Sequence, residues 1–105
     1  MNKTYNKLVR DKIPEIIESA GKACTTEILS DKEYVKMLDA KLNEECAEYQ
    51  SDKNIEELAD IMEVIYAIAK AKGCSPEMLE SVRKEKAEKR GGFEKKIFLK
   101  DVITK

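Results

Sequence analysis

The sequence predicts a mainly α protein, an antiparallel helical bundle in a single domain spanning residues 1–105. Three observations carry that expectation. Of the 105 residues, 39% are charged and 42% hydrophobic, only 6% are aromatic and two are proline. That is the profile of amphipathic helices rather than of a β-sandwich. Helix-start signals recur ahead of apolar residues at helical spacing. Glycines stand where those patterns stop, as helix C-termini require.

The elements follow in order. Residues 1–12 are polar and basic, with Lys3, Lys7, Arg10 and Lys12. Pro14 suits the first position of a short helix over 14–20, stopped by Gly21. Residues 24–29, with two Thr and an Ile, alternate weakly and are expected as a short strand. Ser30 with Glu33 forms a capping box that opens a helix over 31–50. Residues 51–54 make a turn. Asn54 with Glu57 repeats the capping pattern and opens a second long helix over 55–72, ended by Gly73. Ser75 caps and Pro76 opens a third, over 76–90, which stops at Gly91-Gly92. Ile97, Phe98, Leu99, Val102 and Ile103 are expected as a terminal strand paired near Thr26.

Composition also excludes function classes. The chain has no His, which removes Ser-His-Asp and Cys-His catalysis and every His-ligated metal site. Twenty Lys+Arg against 21 Asp+Glu give a net charge of -1, without the basic excess that non-specific nucleic-acid binding needs. The best apolar run, 61–69, is broken by Glu63 and is too short for a membrane span. The N-terminal residues lack the apolar stretch of an export signal. Three Cys without metal-type spacing read as reduced thiols. A cytoplasmic location is therefore expected.

Acidic residues three apart mean little alone: with acids at about one residue in five, roughly four such pairs arise by chance. The face they occupy is what matters. At about 100° per residue, Tyr34, Leu38, Leu42 and Tyr49 share an arc of about 80° on the first long helix. Glu45 falls inside that arc and Glu48 beside it, whereas Cys46 sits at its far edge and reads as core. On the second long helix Ile61, Val64, Ile65 and Ile68 make the apolar stripe. Glu57 lies in its middle, and Asp60 lies against Val64, Ala67 and Ala71. Glu44, Glu56 and Glu63 point further toward solvent.

A short turn folds consecutive helices antiparallel, so residues level across it have a constant sum of positions. Glu45 with Asp60 and Glu48 with Glu57 share the same sum. Two carboxylates from each helix are thus expected to face each other at successive levels of one seam. An unpaired charge taken from water costs several kcal/mol, a large part of a domain's stability. The nearby cation by helical phase is Lys41, and one ammonium does not neutralise four carboxylates. A hard divalent cation does, and an all-oxygen ligand set suits Mg²⁺ or Mn²⁺ and disfavours zinc. Glu45, Glu48, Glu57 and Asp60 are therefore the candidate metal ligands.

Magnesium held by carboxylates commonly meets phosphate from a substrate. No Gly-rich P-loop is present. Lys7, Arg10 and Lys12 near the start, and Lys89, Arg90, Gly91 and Gly92 after the third long pattern, are candidate phosphate contacts, the glycines allowing backbone N–H groups to approach an anion. Their ordinary alternatives are a solvated arm and a helix C-cap with dipole-complementing cations. Phe93, beside the glycines, is the candidate for stacking on a base, with a hydrophobic plug as its alternative.

Glu44-Glu45-x-x-Glu48 followed by Glu57-x-x-Asp60 resembles the E-E-x-x-E…E-x-x-D signature of the all-α NTP pyrophosphohydrolases. That superfamily includes the MazG-like enzymes, the dimeric dUTPases and phosphoribosyl-ATP pyrophosphohydrolase. The segments Tyr5-Asn-Lys-Leu-Val-Arg-Asp-Lys-Ile-Pro-Glu-Ile-Ile17 and Lys89-Arg-Gly-Gly-Phe-Glu94 resemble its small, single-domain house-cleaning branch acting on non-canonical nucleotides. The resemblance implies Mg²⁺ on Glu45, Glu48, Glu57 and Asp60 and cleavage between the α and β phosphates, giving a nucleoside monophosphate and pyrophosphate. Glu48 or Glu44 would take the proton of the attacking water, and Lys41, with Arg10 and Arg90, would offset phosphate charge. The gap from Glu48 to Glu57 is short compared with many relatives, leaving a tight turn where a base-reading loop would otherwise lie.

Two alternatives stand beside this expectation. One is phosphoribosyl-ATP pyrophosphohydrolase of histidine synthesis, against which the N-terminal and Arg90-Gly-Gly-Phe93 segments argue. The other is a non-catalytic helical interaction module. Apolar residues spread widely around the second long helix, so a homodimer or higher homo-oligomer is expected under either.

Overall fold

A two-residue turn, Lys53-Asn54, organises the molecule. In a computed structural model that describes residues 3–104, it joins the two longest of four helices: α1 (Ile13–Ser19), α2 (Asp31–Asp52), α3 (Ile55–Ala71) and α4 (Pro76–Arg90). The fold is mainly α, as the composition and helix signals predict.

Each long helix starts at the expected cap. The Ser30 hydroxyl accepts the Glu33 N–H at 3.3 Å and lies 3.2 Å from Glu33 Oε1. Asn54 Oδ1 accepts the Glu57 N–H at 3.0 Å, and Ser75 Oγ accepts the Met78 N–H at 3.1 Å. These contacts satisfy donors that have no partner within the helix. α2 runs two residues past the expected end, because Lys53 takes the left-handed conformation, with φ 57°, and its N–H closes on the Tyr49 carbonyl at 2.8 Å. Gly73, at φ 80°, serves the same purpose after α3 without a Cβ to strain.

The turn folds α3 back along α2, and this pair makes most of the helix-to-helix contact, with α4 packing more lightly on α3. Leu38 of α2 and Val64 and Ala69 of α3 are the buried apolar residues. No helix among the described residues is long and apolar enough to cross a membrane.

Three expectations are corrected. No strand forms among the described residues, at 24–29 or at 97–103. Ile28 is 99% exposed, and Ile97, Phe98, Leu99, Val102 and Ile103 are exposed too. No backbone hydrogen bond joins the two segments among the described residues, and strand propensity without a pairing partner holds nothing. Cys46, expected in the core, is exposed, and Tyr34 is among the exposed large side chains. Only the centre of the apolar arc of α2 is covered by α3, which leaves its edges bare.

Candidate metal centre

The register of the α2–α3 hairpin brings five carboxylates together. Glu44, Glu45 and Glu48 occupy one turn of α2, and Glu57 and Asp60 the first turns of α3. One oxygen from each of Glu44, Glu45 and Glu48 lies within 4.8 Å of the others, and the same holds for Glu45, Glu57 and Asp60. Glu45 belongs to both groups and is the hub. It is also the most enclosed, at 6% exposure, and is the buried charged residue of the chain's described part.

Three cations reach the cluster. Lys41 Nζ lies 3.2 Å from Glu45 Oε1 and 3.5 Å from Glu44 Oε2. Lys7 donates to Glu44 Oε1 at 2.9 Å, and Arg10 Nη2 donates to Asp60 Oδ1 at 2.6 Å. Among the described residues, five carboxylates against three cations leave a formal excess of two negative charges. Two oxygens, Glu45 Oε2 and Glu57 Oε2, are buried without any hydrogen-bond partner among the described residues. A buried carboxylate oxygen with nothing to bond costs free energy that something else must offset.

The electrostatics follow from this placement. Burial pushes the Glu45 carboxyl above its ordinary value; Lys41 opposes that, and the charges of Glu48 and Asp60 add to it. Burial likewise raises Glu57, reinforced by Glu48, Asp52 and Asp60. Burial acts upward on Glu44 as well, but hydrogen bonding to Lys7 and the charges of Lys41 and Lys7 outweigh it, so its carboxyl lies below the ordinary range. Lys7 is raised in return, chiefly by its bond to Glu44.

Of the four expected ligands, Glu45, Glu57 and Asp60 share one group, and Glu48 joins Glu45 in the other. Glu44 does not point away, contrary to its helical phase: it reaches the cluster from the edge of the face, drawn by Lys7 and Lys41. The presence of Lys41 three residues before Glu44 is the signal for this in the sequence. Of the basic residues proposed for phosphate, Lys7 and Arg10 sit on the carboxylates themselves. Lys12 is exposed and makes no ion pair among the described residues. Lys89 pairs with Glu85 at 3.0 Å within α4. Arg90, Gly91 and Gly92 are exposed, and Phe93 is 98% exposed. No hydrogen bond or ion pair of the described residues joins these four to the cluster.

The donor set fits a hard divalent cation: carboxylate oxygens only, from two rigid helices, with two oxygens unsatisfied and two charges in excess.

The chain matches no family model, and no solved structure matches it. A curated protein of Mycolicibacterium smegmatis, described as uncharacterized, is 51% identical over 45 residues, which is 43% of this chain and 46% of that protein. The match therefore spans less than half the length of this curated relative.

Proposed function

We propose that the chain is a Mg²⁺-dependent nucleoside triphosphate pyrophosphohydrolase of the MazG-like, house-cleaning kind, acting in the cytoplasm on canonical or non-canonical NTPs and dNTPs. The observation that carries this reading is a pair of buried carboxylate oxygens, one on Glu45 and one on Glu57, without a hydrogen-bond partner among the described residues, in a group whose carboxylates come within 4.8 Å of one another. The resemblance of the acidic signature and its two flanking segments supports it.

Glu45, Glu48, Glu57 and Asp60 would hold Mg²⁺, or Mn²⁺ in its place. The bound cation supplies charge stabilisation to phosphoryl oxygens and to the departing pyrophosphate. The chain's own groups do the rest. A water enters, the α–β phosphate bridge breaks, and the monophosphate and pyrophosphate leave, so a group must accept the water's proton. Glu44 carries two ammonium partners that hold it ionised and occupy its oxygens. Glu48 has no ion pair among the described residues, which makes it the better general base. Lys41 is fixed by Glu44 and Glu45 and keeps one positive charge at the rim, where the polyphosphate would approach. The nucleotide is the partner in this reading, together with a second copy of the chain.

The test is pyrophosphate release from a panel of canonical and damaged NTPs and dNTPs, with Mg²⁺ and with EDTA, beside Glu57→Gln. Release that needs metal and drops at least a hundredfold in the variant is the expected outcome. A fully active Glu57→Gln protein refutes the assignment of the site. Turnover of phosphoribosyl-ATP in preference to every nucleoside triphosphate would move the chain to the histidine pathway.

A further inference from the structure

Residues 3–12 precede α1 as an arm without regular secondary structure, and two of its cations cross to the carboxylates. Lys7 bonds Glu44, 37 residues away, and Arg10 bonds Asp60, 50 residues away. Little else holds the arm. Among residues 3–12 only Leu8 is better than exposed, and a cavity of about 200 Å³ opens between Lys7 and Leu8 on one side and Met37, Ala40 and Lys41 on the other. The attachment is charge, not apolar packing.

The pattern of contacts is selective. The arm's cations cover the outer carboxylates, Glu44 and Asp60, and leave the buried oxygens of Glu45 and Glu57 open. Arg10 and a divalent cation have the same claim on Asp60, and they repel one another, so the two compete.

We propose that the arm is a strap whose Arg10 guanidinium stands in for the metal at Asp60 and is released when a divalent cation enters. The proposal rests on the metal reading of the site. The strap lets the hairpin fold before metal arrives, because it neutralises part of a repelling cluster. On release it presents a free guanidinium at the mouth of the site, where a polyphosphate would be recognised.

Competition of this kind lowers the apparent metal affinity by the fraction of chains with Asp60 free. An exposed ion pair corresponds to a factor of about two to five, or about 0.4–1 kcal/mol. The experiment is a Mn²⁺ titration of the full chain, read from the electron paramagnetic resonance signal of the free ion, for the unmodified protein, Arg10→Gln and Lys12→Gln. Arg10→Gln should bind Mn²⁺ about two- to fivefold more tightly. Lys12→Gln, which removes the same charge from the same arm without breaking a pair, should bind as the unmodified chain does. In parallel, Mn²⁺ should speed tryptic cleavage within residues 7–12 of the unmodified protein.

Equal or weaker binding by Arg10→Gln overturns the strap while leaving the metal site standing. An arm no more cleavable with Mn²⁺ than without it does the same. A tightening as large in Lys12→Gln as in Arg10→Gln reduces the effect to overall charge and also overturns it. No Mn²⁺ binding by any of the three removes the metal reading itself, and the strap with it.

Discussion

Glu45 lies in the seam with one oxygen on Lys41 and the other without a partner among the described residues, and Glu57 likewise has one buried oxygen without a partner there. Both carboxyls are raised above their ordinary 4.5 by burial. Such a group keeps in the fold a proton that the unfolded chain has lost, so its contribution to stability is present below pH 4.5 and is lost as pH rises through the raised value. Glu44 has the opposite sign: lowered in the fold, it stabilises above its ordinary value, and that contribution is lost only as pH falls through the lowered one. Glu57→Gln cannot ionise. In EDTA its melting temperature should match the unmodified chain near pH 4 and exceed it at pH 7, and saturating Mg²⁺ should reverse the order at pH 7. A difference between the two proteins that stays constant from pH 4 to pH 7 would show that Glu57 is not held in a charge-repelling seam. Four of the five carboxylates were legible in the sequence, because helical phase and a short turn determine which residues face one another. Glu44 was named as a proton acceptor, but its phase turned it toward solvent, and its place in the cluster was not read, nor were the contacts of Lys7 and Arg10 with carboxylates. A glutamate side chain is long enough to reach around the edge of a face, and an arm without periodicity has no phase to read.

The turn between α2 and α3 decides whether the residues of the site meet at all. Lys53 ends α2 and Asn54 begins α3, and the Asn54 side chain fixes the N–H of Glu57, a metal-ligand candidate in the first turn of α3. Loss of such a cap costs about 1 kcal/mol. Asn54→Ala should therefore lower stability by about that amount in urea unfolding. It should also weaken Mg²⁺ binding, since the first turn of α3 frays where Glu57 is attached. Ser75→Ala removes an equivalent cap from α4 and should cost a similar amount while leaving Mg²⁺ affinity unchanged. If both variants lose affinity equally, the site depends on global stability and not on the local geometry of the turn. The helices were legible because their signals are local: a cap, an apolar period and a stop within about twenty residues. The strands expected at 24–29 and 97–103 failed for the complementary reason. Pairing is non-local, and no residue within either segment says whether the other will be adjacent.

The whole chain exposes far more surface than a molecule of its size needs to. It presents 9994 Å², against about 6,000 Å² for a compact 12.0 kDa monomer. Its radius of gyration is 18.6 Å, where about 13 Å suits 105 residues in one compact body. The excess of about 4,000 Å² per chain is several times one partner's share of a standard interface. Much of it is apolar and ordered by sequence. Ile55, Leu58, Met62 and Tyr66 are exposed on α3 at the three- and four-residue spacing of a second seam, opposite the one that carries Glu57 and Val64. α3 is apolar on both sides, as a helix inside a larger bundle is. The three buried apolar residues among those described do not hold a domain against its chain entropy. A second copy packed on the outer face of α3 would supply the missing core. Light scattering should therefore give a mass of at least twice 12.0 kDa, and Met62→Glu should lower it to one chain or abolish folding. Lys84→Glu, an exposed charge change on α4, should leave the mass unaltered and guard against a general effect of charge. A cooperatively melting protein of single-chain mass would mean that α3 keeps its outer face bare, and the homodimer would have to be abandoned.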